Sequence, residues 1–546
     1  MLANQRRTIA AMGTGAKQRT RALRRATINQ LGAATMAALL LFLGWRAFVV
    51  WPQLLDRSAR EEALVRSEDA MRRAEAQLEA KYRTDTQQND HGTEEDLPAF
   101  DGRVQAPALT HADVAPTRHT APGACGRDST FDVPDVALGH KVTRRTFRTT
   151  GASWAMRLKA GLRYAHMVSV ATLPNGSLAL AFQAAETAEG AEDQRVMWAS
   201  STGPSAEKFY EPRPLPLRRR GAQWGPVLHV VPKPKVPAGF VIHLFYAESK
   251  GCIRPVKPPK WPPGGDIKYT SSIDGGRTWR AARTILAQES EHGNIPKVVA
   301  NHLVVTASGA WVLPFWRERA MLDKTVWPKG SESCRTEAEA YAGILVSEDG
   351  GATWSARGAV RAERTWLIEN SVVEVTKTHK GEATDPHLLM LFRSHEGHVW
   401  SSRSFDSGFT WATPEAVTSL PNPDAKVSAL TLQPSGDIVL AFNDHTRLKG
   451  WDVGHVALQT EIPEKARTDL TLALSRDGGH TWSRIGAIET ARQPGLRLHY
   501  PWIVQVGCEL VLAYSKFFVR GYDDRGGDRG KGAEALGIRV VRLTAT

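Results

Sequence analysis

Apolar positions along this chain follow two different patterns. From about residue 146 to the end, apolar runs of four to eight residues recur, separated by Gly, Pro, Asn and Ser. MVSVATL and SLALAFQ flank PNG, HLVVTA and WVLPFW flank SG, and VSALTLQ and DIVLAFN flank PSG. Short runs closed by turn residues read as strands joined in hairpins. Before residue 146 the pattern changes. Leu31–Gly44 is uncharged and apolar, and the run resumes after Arg46 as AFVVW to Trp51. Residues 56–83 are charged and helix-favouring, with Leu64, Met71 and Leu78 at seven-residue spacing. Residues 84–145 are polar and Pro-rich, the composition of a linker.

A repeated turn organises the strands. SSIDGGRTW (Ser271–Trp279), SEDGGATW (Ser347–Trp354), SFDSGFTW (Ser404–Trp411) and SRDGGHTW (Ser475–Trp482) share S-x-D-x-G-x-T-W. Each follows a β-rich run. Asp and Ser bond back to nearby backbone N–H groups, Gly takes a positive φ, and Trp packs between sheets. Four copies, 57 to 75 residues apart, indicate a repeat architecture. The unit is strand A, short turn, strand B, variable loop, strand C, Asp-box turn, strand D, which is an up-and-down blade. Six units are counted. The first (RVMWASSTG) and last (IRVVRLTAT) lack a good Asp-box, and VTRRTFR (Val142–Arg148) is expected to supply the last blade's missing strand. The expected fold is therefore all-β, a six-bladed propeller over 146–546.

Charge shapes the reading of the N-terminal part. The net charge is +13, but residues 1–30 hold seven basic residues and no acid. A basic flank before an apolar run of about 20 residues reads as a cytosolic tail (1–30) and a transmembrane signal-anchor (31–51). Arg46 would snorkel, and Trp45 and Trp51 would sit at the interface. Residues 52–145 then form a stalk, and the propeller lies in the secretory lumen or outside the cell. A secreted or organelle-targeted chain is the alternative. No basic stripe or motif supports nucleic-acid binding. Four cysteines with no C-x-x-C pair exclude a zinc ribbon, and no metal or cofactor is expected. Cys252 and Cys334 are expected in neighbouring loops, near enough to pair.

Strand order decides which face binds. Asp-boxes are C–D turns, so they lie at one end, while the long insertions fall in B–C loops at the other. Polar residues expected at that second end are Glu369, Arg393, Arg467, Tyr500 and His166, with Glu189 and Asp193 in the first B–C loop. Each has a plainer reading as a solvated rim charge.

The Asp-box repeats resemble the sialidase superfamily, and more narrowly the BNR-repeat sialidase-like family whose first blade opens with His and whose later blade reads R-T-x-L before an Asp-box. The resemblance covers about residues 146–546 and implies roles. Asp274, Asp349, Asp406 and Asp477 would be structural. Tyr500 would be the nucleophile, Glu369 its proton acceptor and Asp193, or Glu189, the acid. Arg393 and Arg467 would hold a substrate carboxylate bidentately. A phenol suits this task because a carboxylate nucleophile would be repelled by an acidic sugar. Sialidases carry a further arginine in R-I-P at the start of blade 1. Here AHMVSV places His166 there, a weaker clamp if neutral and a partial substitute if protonated. The implied activity is an exo-acting glycoside hydrolase that releases sialic acid or a related acidic sugar from a glycan. A catalytically inactive propeller that binds a glycan or protein, and a hydrolase or lyase of another acidic polysaccharide, are the alternatives. The sugar and the oligomeric state are not legible.

Overall fold

The computed structural model describes residues 147–158, 162, 164–251, 260–290, 294–318, 340–376, 386–445, 467–491, 496–518 and 536–545, all within one unit, Pro107–Thr546. The expected tail, anchor and stalk lie outside the described residues, as do Cys252 and Cys334. No helix among the described residues is long and apolar enough to cross a membrane.

Six antiparallel sheets form a ring of blades. Blade 1 is built of Tyr164–Thr172, Leu178–Ala185, Arg195–Ser200 and Arg213–Pro214, and blade 2 of Gln223–Pro232, Phe240–Glu248, Asp266–Ser272 and Arg283–Leu286. Blade 4 contains Ile368–Val375, His387–Arg393, His398–Ser404 and Glu415–Pro421. Blade 5 contains Ser428–Thr431, Ile438–Asn443, Asp469–Ser475 and Ser483–Thr490. Second strands are mostly apolar and buried because both their faces meet neighbouring blades. All eight residues of Leu178–Ala185 are buried, whereas only one residue of the seven-residue outer strand Glu415–Pro421 is buried.

Two strands depart from the sequence pattern. The ring closes as expected, with an N-terminal strand completing blade 6, but that strand is Phe147–Arg157, paired from Phe147 opposite Ala545 to Arg157 opposite Gly537. Of the expected segment, Phe147 and Arg148 lie in this strand, and 142–146 lie outside the described residues. Phe147 anchors the start of the strand in one core cluster, and Ala155 and Met156 anchor its far end in another. In blade 3 the inner strand is split into Lys297–Val299 and Val304–Val305, ahead of Trp311–Arg317, Ala342–Ser347 and Ser355–Val360. The interruption frees Asn301, whose Nδ2 donates to the carbonyls of Glu369, Asn370 and Val427 at 2.8, 3.1 and 3.2 Å.

All four Asp-boxes close on themselves. Ser272 Oγ donates to Asp274 Oδ1 at 2.8 Å and accepts the N–H of Gly276 at 2.9 Å. Thr278 gives Asp274 both its N–H, at 3.0 Å, and its hydroxyl, at 2.6 Å. The same bonds recur around Asp349, Asp406 and Asp477. Each box is also clipped to the preceding blade by an arginine: Arg213 to the Gly276 carbonyl, Arg283 to Gly351, Arg357 to Ser407 and Arg403 to Gly478. The boxes therefore join blades as well as ending strands.

Register separates the two ends. In blade 4, Ile368 pairs with Arg393 at one end and Val375 with His387 at the other. The box that starts at Ser404 lies opposite Leu388, at the His387 end. Arg393 and Glu369 are thus a strand's length from the box.

Candidate active site

The inner strands of four blades share one backbone irregularity. Register slips between His166 and Ser169, Trp224 and Val227, Ile368 and Ser371, and His499 and Trp502. One residue within each slip has a left-handed backbone: Met167 at φ 52°, Gly225 at 54°, Glu369 at 52° and Tyr500 at 58°. Bulges re-aim side chains. Blade 2 fills the position with Gly, because a Cβ there would meet the Val299 carbonyl at 1.8 Å. Glu369 and Tyr500 instead carry a left-handed conformation that costs a non-glycine residue on the order of 1–3 kcal/mol. Side chains from the preceding blade hold both turns. Asn301 binds the Glu369 carbonyl, and the Lys426 ammonium donates to the Pro501 carbonyl at 2.8 Å.

The two strained residues meet. Tyr500 Oη donates to Glu369 Oε1 at 2.5 Å, and both residues are buried. Arg393 Nη1 bonds both, at 2.9 Å to Glu369 Oε1 and 2.7 Å to Tyr500 Oη. Its Nε donates to Asp424 Oδ1 at 2.7 Å. Burial raises the Tyr500 hydroxyl above its ordinary pKa, with Arg393 opposing and Glu369 adding. The phenol is therefore protonated in the free protein, and its proton faces a carboxylate. Burial alone would lower Arg393, but Glu369, Tyr500 and Asp424 outweigh it, so the guanidinium stays charged.

Arg467 lies beside this pair. Its Cζ is 5.1 Å from the Tyr500 ring centroid, Nη2 donates to the Asp424 carbonyl at 2.7 Å, and Nη1 donates to His499 Nδ1 at 2.9 Å. Asp424, itself left-handed at φ 60°, thus holds Arg393 by its carboxylate and Arg467 by its carbonyl. His166 packs on Tyr500 with ring centroids 3.9 Å apart, and its Nδ1 lies 2.9 Å from Ser515 Oγ. Burial, followed by Arg467, Arg497, Lys426 and Arg393, pushes its pKa well down. Burial and the surrounding cations thus favour the neutral imidazole over the protonated one.

The blade 1 loop residues sit differently. Asp193 Oδ2 accepts the N–H groups of Glu186, at 2.5 Å, and Thr187, at 3.1 Å, so this oxygen ties its own loop, while Oδ1 is buried without a partner. Glu189 accepts the Tyr164 hydroxyl at 2.7 Å. That hydroxyl in turn accepts from Gln183 Nε2 at 2.9 Å. Neither carboxylate bonds to Tyr500, Glu369 or the two arginines.

Four residues of the site carried no signal in the sequence pattern. Asp424 precedes its strand in a loop of ordinary composition. Lys426 is 1% exposed, and burial, partly offset by Glu369, lowers its ammonium to about 7. Arg497 and His499 alternate ahead of Tyr500 in RLHY, and that alternation was the only available clue to a shared strand face.

Comparison with known proteins bears on the fold. A family model described as a BNR repeat-like domain matches residues 176–511. No curated protein matches the chain in sequence. Among solved structures, a protein of unknown function from Dyadobacter fermentans is 15% identical, with a TM-score of 0.50, over 73% of this chain and 100% of its own. A Hadza microbial sialidase is 15% identical, with a TM-score of 0.43, over 64% of this chain and 63% of its own. A Trypanosoma rangeli sialidase in complex with sialic acid is 11% identical, with a TM-score of 0.43, over 73% and 57%.

Proposed function

We propose that this chain, which belongs to the BNR repeat-like domain family, is an exo-acting glycoside hydrolase that removes an acidic sugar, sialic acid or a relative, through a tyrosyl intermediate. One observation carries the reading: two residues from different blades, both in strained left-handed backbone, share a 2.5 Å hydrogen bond inside a buried cationic cluster. Strain and burial of this kind are costly to a fold and concentrate at functional sites. A structural pair would have no need of them.

The chemistry follows from the contacts. Tyr500 Oη attacks the anomeric carbon while its proton passes to Glu369 Oε1. The bond from carbon to the leaving oxygen breaks, and that oxygen takes a proton from an acid. Asp193 is the candidate, since one of its oxygens has no partner. Water then cleaves the tyrosyl–sugar bond, giving one of its protons to the deprotonated acid, while Glu369 returns its proton to the departing Tyr500 oxygen. Arg393 fixes the pair and keeps only Nη2 for a ligand. Arg467 contributes a second charge for the sugar's acidic group. The Cys508 disulfide supports an oxidising compartment, in keeping with a propeller held beyond a membrane by residues 31–51.

The test is a turnover screen of the full chain against fluorogenic glycosides of sialic acid, uronic acids and neutral sugars. Release from an acidic glycoside that falls about a thousandfold in Tyr500→Phe, at unchanged melting temperature, supports the reading. No turnover of any glycoside, or turnover that survives Tyr500→Phe, overturns it.

A further inference from the structure

We propose that Arg497 and His499, together with Arg467, form the receptor for the carboxylate of the acidic sugar, on the blade 6 side of Tyr500. This deepens the hydrolase reading and rests on it for the class of ligand.

The argument is a count of donors and acceptors. Arg467 Nη1 lies 2.9 Å from His499 Nδ1. A guanidinium only donates, so Nδ1 accepts and the imidazole proton sits on Nε2. That Nε2–H is buried and bonds to nothing among the described residues. Arg467 Nε is in the same condition, and so is Arg497 Nε. The Arg497 side chain makes no hydrogen bond or ion pair among the described residues. Three buried N–H groups therefore lie on neighbouring residues with no acceptor. Arg497 and His499 are two apart on the strand Leu496–Val506, on one face, and Arg467 is bonded to the second of them.

A half-buried guanidinium without a counter-charge is costly, and each buried donor left unmet adds to the cost. Burial, followed by the nearby charge of Arg467, lowers Arg497 to about 9, the direction expected of a cation held without its anion. Glu189 attracts it but is bonded to Tyr164. Asp424 Oδ1 and Glu369 Oε1 are taken by Arg393, and Glu369 Oε2, though unmet, bonds to none of the three N–H groups. A ligand made only of acceptors meets the need, and a planar carboxylate suits guanidinium donors. The same arrangement explains why Arg393 can be spent on Glu369 and Asp424.

The experiment measures binding rather than turnover. Sialic acid, its methyl ester and glucuronic acid are titrated into the full chain and into Arg497→Met, His499→Phe and Tyr500→Phe, with melting temperatures read in parallel. In Arg497→Met, binding of the free acid should weaken at least tenfold while the weaker binding of the ester is unchanged. Tyr500→Phe should bind the acid as wild type does. Without ligand, Arg497→Met should melt at or above the wild-type temperature, because it deletes an unpaired charge. A fall in melting temperature would show that Arg497 has a protein partner, and the proposal would fail. It would also fail if the wild-type chain bound neither acid, or if Arg497→Met bound the free acid undiminished. Loss of acid binding in a chain that hydrolyses nothing would keep this receptor and discard the hydrolase. Intact acid binding beside loss of turnover in Tyr500→Phe would do the reverse.

Discussion

The two ends of the propeller use the same side chains in opposite ways. At the Asp-box end each carboxylate is satisfied by residues two and four positions away, as Asp406 is by Ser404 and Thr410. At the other end Glu369, Arg393, Asp424, Arg467 and Tyr500 find partners across blades, up to 131 residues apart, and leave Glu369 Oε2 and Arg467 Nε buried and unmet. The first arrangement completes itself within a short segment and adds stability. The second depends on the closed ring and spends stability on groups that await a partner. A propeller can keep a costly site because the ends of its inner strands are positioned by blades secured elsewhere.

The largest effect should come from removing the charge at the centre of the site. Glu369→Gln keeps the shape but leaves the Tyr500 proton without a base. Turnover should fall by about 10²–10⁴-fold. Arg393 also loses one of its two carboxylates, so stability should drop by up to about 3 kcal/mol, at the low end for a broken buried pair because Asp424 remains. Steady-state kinetics and urea unfolding read the two losses separately. Full activity in this variant would place the chemistry elsewhere.

How much of this was legible in the sequence depends on where each partner lies. Asp-boxes could be read because Ser, Asp, Gly and Thr bond within five residues of one another, so spacing and geometry coincide. Tyr500, Glu369, Arg393, Arg467 and His166 could be located at strand ends from strand order alone, and the structure brings them together. The backbone that aims them could not be read. A left-handed Glu or Tyr has no residue signature, whereas the same position in blade 2 announces itself as Gly225. Asp424 and Arg497 were missed because their role depends on packing between blades. The closing strand was legible at Phe147, which is buried, but not in its extent, because Ala155 and Met156, buried in a second cluster, follow the polar stretch Arg148–Ser153.

A second effect sharpens the contrast through pH. Lys426 is buried at the site end, with Glu369 the acid that attracts it. Its folded-state value, about 7, lies below the ordinary value of about 10.4. Between these the unfolded chain binds more protons than the folded one, so stability should rise as pH increases from about 7 to 10. Lys426→Met should flatten that rise and should be more stable than wild type at pH 7, as measured by urea midpoints at pH 7 and 9.5. An identical rise in the variant would assign the pH dependence to other groups.

The smallest effect tests the claim that the Asp-box end is structural. Asp477 accepts two backbone N–H groups, from His480 and Thr481, and two hydroxyls, from Ser475 and Thr481. Asp477→Ala removes these acceptors from a partly exposed turn where water can replace some of them, so the expected cost is about 1–2 kcal/mol. Catalytic turnover should stay within about twofold, since the site shares no partner with this box. The boxes should also give the fold an acid limit. Hydrogen bonds from Thr410 hold Asp406 down at about 2, below the ordinary carboxylate range. A carboxylate depressed in the folded state adds stability that is complete above its ordinary value and is lost as pH falls through the folded one. Unfolding midpoints should therefore drop between about pH 4 and pH 2, and Asp477→Ala should lose less than wild type over that interval because one contributor is already gone. If the variant instead lost turnover at an unchanged melting temperature, the two ends would have been assigned the wrong way round, and the boxes would belong to the chemistry.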